Sequence, residues 1–108
     1  MRRSAALRGF APLFAALGDE TRLRLVSRLT GGPASIASLT HGSSVTRQAI
    51  TKHLRVLAGA GVVRSRRQGR ERLWELRPDQ LRQARESLDA ISRQWDETLG
   101  RLKSFVER

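Results

Sequence analysis

Leu7, Phe10, Ala11, Phe14 and Leu17 follow one another at steps of mostly three and four residues, the spacing that lines one face of a helix, with Pro12 placed for its first turn. Gly18 then offers a stop, and Asp19 can cap a second helix whose inward stripe is Leu25, Val26 and Leu29, with Leu23 beside them. Gly31-Gly32-Pro33 ends that helix. Ile36, Ala37 and Leu39 predict a short third helix, Gly42-Ser43-Ser44 a turn, and Thr46 the start of a fourth helix running to Ala60.

Two short helices joined by a tight, glycine-containing turn make a helix-turn-helix. In its second helix Ala49, Ile50, His53, Leu54 and Leu57 share one side, while Arg47, Gln48, Thr51, Lys52 and Arg55 occupy the others. Beyond Gly59 and Gly61, the runs Val62–Arg67 and Arg72–Leu76 flank Gln68-Gly69-Arg70-Glu71, the signature of a β-hairpin. From Pro78 onward Leu81, Ala84, Leu88, Ile91, Trp95, Leu99, Leu102 and Val106 form a heptad-like seam on a helix long for so small a chain. Its full seam would stay wet in a monomer, which predicts a homodimer. The fold class expected is mainly α with a small β-hairpin (α+β): a winged helix-turn-helix with a long C-terminal dimerisation helix. One domain is expected over 1–108, with a DNA-binding core at about 10–77 and the dimerisation helix at about 78–107.

Charge sharpens this picture. Lys and Arg total 21 against 10 Asp and Glu, a formal +11, and nearly all the cations are Arg. A guanidinium grips phosphate or a guanine edge through two bonds, so the excess favours a polyanionic partner. Between Ser44 and Arg77 stand nine Lys or Arg against two acids, Glu71 and Glu75, an excess of seven in under a third of the chain. That is the electrostatic footprint expected for contact with double-stranded DNA.

Residues near the start of the second helix of a helix-turn-helix normally reach base edges, which makes Arg47, Gln48, Thr51 and Lys52 the candidates for direct readout. Thr46 reads first as a helix cap, with a phosphate contact as its alternative. Arg55 adds charge, and Arg64, Arg66, Arg67, Arg70 and Arg72 crowd the hairpin, where they would repel one another unless they faced an anion. His53 fits helix packing or a phosphate contact better than a metal role, because nothing at ligand spacing accompanies it or His41. With no Cys, thiolate and disulfide chemistry is excluded, and a reducing, cytoplasmic setting on the nucleoid is expected. Apolar runs are too short to span a membrane. Phosphate loops, nucleophile elbows, paired-carboxylate clefts and plausible triads are missing, so no catalytic site, metal or cofactor is expected. Trp74 and Trp95 read as core and seam residues.

The stretch Leu13–Leu25, with Gly18-Asp19-Glu20-Thr21-Arg22 at its centre, together with Val45–Leu54, Leu57, Ala60–Val63 and Gly69-Arg70, resembles the ArsR family of bacterial winged-helix repressors. The resemblance covers about Phe10 to Leu76, and the Trp95, Leu99 and Leu102 tail is similar to a branch that does not respond to metal. It implies a homodimer joined through the first and last helices, here Leu7, Phe10, Phe14, Leu81, Leu88, Ile91, Trp95, Leu99, Leu102 and Val106. It also implies a palindromic operator and repression, often of the protein's own operon. Family metal sensors carry Cys or His/Asp ligands on the third or last helix. Here Ser35–Leu39 holds no Cys and the last helix no His, so neither kind of sensing is expected. Glu20 stands where most relatives have Pro, and a carboxylate there suits the helix start. The small-molecule effector, if there is one, is not readable. The rivals are an architectural protein binding DNA without sequence preference and a winged-helix module that docks on protein.

Overall fold

The computed structural model describes residues 8–107; Leu7, assigned above to the dimer surface, lies outside them. Helix α1 spans Ala11–Leu17 with Pro12 in its first turn, burying Leu13 and Ala16. Helix α2, Glu20–Leu29, begins where the Asp19 carboxylate accepts the Arg22 backbone N–H at 3.0 Å. It buries Leu25 and Leu29. Leu23, expected inward, is 51% exposed. The inward face runs through positions 22, 25, 26 and 29 at steps of three and four, and Leu23 falls on the far side of the cylinder.

A strand too short for periodicity to betray, β1 at Ala34–Ser35, precedes α3 at Ile36–Thr40. Ser35 caps α3 by accepting from the Ser38 N–H at 3.1 Å, and Leu39 points into the core. The turn to the next helix contains Gly42 at φ 73°, a left-handed value that glycine adopts without steric cost. Helix α4, Arg47–Gly59, is capped by Thr46 and buries Ile50, Leu54 and Leu57.

Strands β2, Val63–Gln68, and β3, Glu71–Leu76, form an antiparallel hairpin, and β1 pairs with the other edge of β3, giving the order β1-β3-β2. The register sets Val63 opposite Leu76 and Gln68 opposite Glu71, leaving Gly69-Arg70 as a two-residue loop. Gly69 has φ 63° and Arg70 a negative φ, the signs that a II′ hairpin turn asks of its two central residues. Val63 and Trp74 face the helices and are buried; the Trp74 indole N–H is buried without a hydrogen-bond partner.

Leu13, Leu25, Leu29, Leu39, Ile50, Leu54, Leu57, Val62, Val63 and Trp74 form the core, reached by Ala84 from the last helix. That helix, α5, runs from Pro78 to Val106. Its 29 residues make about 44 Å of helix. Only Ala84 and Ala90 are buried along it, and beyond its first turns it projects away from the core. The seam therefore divides. Leu81, like Phe10 and Phe14, packs on the core and is half-buried, so these three serve the protomer's own interior as well as any partner. Leu88, Trp95, Leu99, Leu102 and Val106 are exposed, as is Phe105, a large apolar side chain that the seam pattern passed over.

Candidate nucleic-acid interface

Helix α4 turns Ile50, Leu54 and Leu57 inward, which obliges Arg47, Gln48, Lys52 and Arg55 to stand in solvent. No acid occupies its first turn, so the positive end of the helix dipole is left unmasked beside Arg47. Thr46 is a cap, its hydroxyl oxygen accepting the Ala49 N–H at 3.2 Å. The Thr51 hydroxyl donates to the Arg47 carbonyl at 2.9 Å. That bond engages its polar atom internally and leaves the methyl as its distinctive surface.

His53 sits on the inner side of the helix, at the junction of three elements. Arg22 donates from Nε to the Ala16 carbonyl at the end of α1, and its Nη1 lies 3.3 Å from His53 Nδ1. The same Nδ1 is 3.8 Å from Asp19 Oδ2. It cannot both accept from Arg22 and donate to Asp19. A guanidinium only donates, so the Arg22 contact uses Nδ1 as an acceptor. His53 thus packs against Arg22 and Asp19 at the start of α2. The Arg22 backbone N–H, foremost among several causes, holds the Asp19 carboxyl below its ordinary range.

The hairpin's charges are less crowded than the sequence suggests. Side chains directly across the ladder share a face, so Arg64 and Arg66 project on the same side as Glu75. The Glu75 carboxylate accepts from Arg64 Nε at 2.9 Å and from Arg66 Nε at 3.2 Å, and these two bonds, Arg64's first, pull its pKa below the usual glutamate range. Arg66 also donates to Gln68 Oε1 at 3.1 Å. On the opposite face Arg67 and Arg72 stand directly across from each other, and Arg72 donates to Ser65 Oγ at 2.8 Å.

Two classes of cation result. Arg64 and Arg66 have an internal counterion. Arg47, Lys52, Arg55, Arg67 and Arg70 have no side-chain partner among the described residues. The sequence reading counted Glu75 among the acids but could not see it bridging two arginines; the signal available was its position directly opposite Arg64 and two strand steps from Arg66's partner Leu73, legible only once the register is known. Arg22 and Asp19 were likewise visible as a motif and not as a junction.

A profile of the helix-turn-helix domain family matches residues 17–66. The chain is 39% identical over 74 residues to the HTH-type transcriptional regulator Rv2034 of Mycobacterium tuberculosis, an alignment covering 68% of this chain and 69% of that one. Its fold superposes on an ArsR-like transcriptional regulator from Rhodococcus sp. RHA1 with a TM-score of 0.78, at 36% identity and over 91% of this chain and 92% of the other. The chain belongs to the ArsR family. It is a transcriptional regulator with a winged helix-turn-helix DNA-binding fold. A third likeness shows the fold alone: the homodimeric winged helix-turn-helix DNA-binding domain, fragment 1–100, of Mb0332 from Mycobacterium bovis, a possible ArsR-family regulator. It has a TM-score of 0.65 at 21% identity, over 84% of this chain and 85% of the fragment. The winged helix-turn-helix class and the ArsR resemblance expected from the sequence both hold.

Proposed function

We propose that this ArsR-family chain is a cytoplasmic, sequence-specific repressor that acts as a homodimer on a palindromic operator, including one upstream of its own gene. The observation that carries the reading is the coincidence, on one helix and the neighbouring hairpin, of polar base-reading side chains with cations that have no internal partner. Arg47, Gln48, Thr51 and Lys52 read bases, while Arg55, Arg67 and Arg70 hold the backbone, with Arg64, Arg66 and Arg72 in a secondary role. Thr46 serves as the cap that sets the helix at its start.

The exposed apolar seam of Leu88, Trp95, Leu99 and Leu102, continued by Phe105 and Val106, supports dimerisation. The Mb0332 fragment, similar in fold, is homodimeric. Ile91 completes the seam, and Phe10, Phe14 and Leu81 border it. Two copies of α4 would then enter successive major grooves roughly 34 Å apart.

The deciding experiment titrates purified protein against the DNA upstream of its own gene and against scrambled duplex of equal length at physiological salt. A preference of about 10³-fold or more supports the specific regulator. Equal affinity for both supports an architectural protein.

A further inference from the structure

Between α2 and the turn that joins α3 to α4 the fold leaves an open cleft of about 520 Å³. Small-molecule sites commonly measure roughly 300–1,000 Å³. Its floor is apolar, built from Leu25, Leu39 and Ile50, all buried, and half-buried Val45. Hydroxyls from Ser43 and Ser44 stand on the turn side, and Arg24 and Arg28 on the α2 side.

The electrostatics of this cleft have one sign. Arg24 is met by Glu20 at 2.6 Å, but among the described residues Arg28 donates only to a neutral acceptor, the Ser38 carbonyl at 3.0 Å, and has no counterion there. No carboxylate among the described residues lines the cleft. Val45 and Ile50 border it from either side of the α4 start, which carries the helix's positive end and no acid in its first turn. A purely apolar occupant would leave this field unanswered, and a purely polar one would leave the floor wet.

We propose that the cleft is an effector site for a small amphipathic monoanion, an aromatic or short-chain carboxylate, whose apolar body covers Leu25, Leu39 and Ile50 and whose head meets Arg28. The coupling to DNA rests on the reading given above. The occupant sits against Gly42–Val45, the segment that sets the pose of the recognition helix, and it places a negative charge beside the end of α4 that would approach phosphates. Both effects oppose DNA binding, and by linkage DNA opposes the anion.

The test uses 1-naphthoate as probe and 1-naphthalenemethanol as its neutral counterpart, with amide chemical shifts of the full-length protein as readout. Expected are saturable shifts at Gly42, Ser43 and Ser44, small at Gly100 on α5, and affinity about tenfold lower for the alcohol and for Arg28→Gln, the loss of one charge-assisted contact. Operator affinity of the wild type should fall at least tenfold at saturating naphthoate. Ser27→Trp, which fills the cleft from an exposed helical position without adding a negative charge, should lower operator affinity less than saturating naphthoate does, and its remaining operator binding should ignore naphthoate. Absent or seam-centred shifts, equal binding of the alcohol, or operator affinity indifferent to naphthoate would each overturn the proposal. If the unliganded protein fails to prefer operator, the repressor reading falls by itself; the shift titration still decides the site, and scrambled duplex then serves to read the coupling.

Discussion

Glu75→Gln tests the division of the hairpin's arginines into silenced and available. The substitution keeps the shape and one acceptor, so a neutral hydrogen bond to one guanidinium can survive, while the other faces an amide N–H and is released. Removing one acid takes the formal charge from +11 to +12. Each additional phosphate neutralised steepens the dependence of log K on log salt by about 0.9. One released arginine therefore makes binding to random duplex change about 3.5-fold more between 200 and 50 mM salt than the wild type does, and two about 12-fold more. Fluorescence anisotropy of a labelled scrambled duplex over that salt range reads the slope directly, with circular dichroism confirming that the hairpin is intact. A slope unchanged or flatter would refute the idea that Glu75 withholds arginines from DNA. Acid should mimic the substitution only far from neutrality. The folded-state pKa of Glu75 is depressed, so the fork's contribution is present above the unfolded value and is lost as pH falls through the folded one, below the ordinary glutamate value.

Asp19 is depressed in the same direction, so the acid limb of the melting-temperature profile should be shallower for Asp19→Asn, which can still cap α2 without titrating; parallel limbs would exclude Asp19 from acid unfolding. Leu54 is 0% exposed at the centre of the core, and Leu54→Ala should cost about 2–5 kcal/mol in urea denaturation, a loss under 1 kcal/mol contradicting the packing described. Trp95→Arg or Leu88→Arg should convert the proposed dimer to monomer in sedimentation, and an unchanged mass would move the interface elsewhere. Arg47→Ala or Gln48→Ala should relax base preference by about 1–3 kcal/mol at one position per half-site, whereas Arg67→Ala or Arg70→Ala should weaken all sequences alike and reduce the salt slope by about 1; identical base-preference profiles for Arg47→Ala and wild type would remove Arg47 from the readout.

What could be read without coordinates was whatever repeats or punctuates. Pro12, Asp19, Thr46, Gly69 and Pro78 each mark an element boundary through a local constraint on backbone or capping, and each boundary falls where that constraint puts it. Leu23 was misplaced because hydrophobicity alone was allowed to extend a stripe that helical phase forbids. The β1 strand escaped because its pairing with Trp74 and Leu73 lies some forty residues away and two residues carry no period of their own. Charge was legible as an amount and not as an arrangement. Nothing local in Arg64-Ser65-Arg66 announces that one carboxylate, set opposite by the strand register, engages two of the five hairpin arginines.

The same limit explains the Gly18–Arg22 segment. As sequence it looks like a helix start with a basic residue after the cap. In the fold its arginine reaches back to the α1 carbonyl of Ala16 and across to His53 on α4, while its own backbone N–H is held by Asp19. A lysine offers a point charge without the planar fork needed to meet two acceptors in different elements. The segment thus fixes the recognition helix relative to α1, the helix that carries Phe10 as its N-cap and Phe14 on its surface. On the proposed reading, in which those phenylalanines border the dimer contact, the spacing of two recognition helices would be set through Arg22, a residue outside the proposed base-reading set.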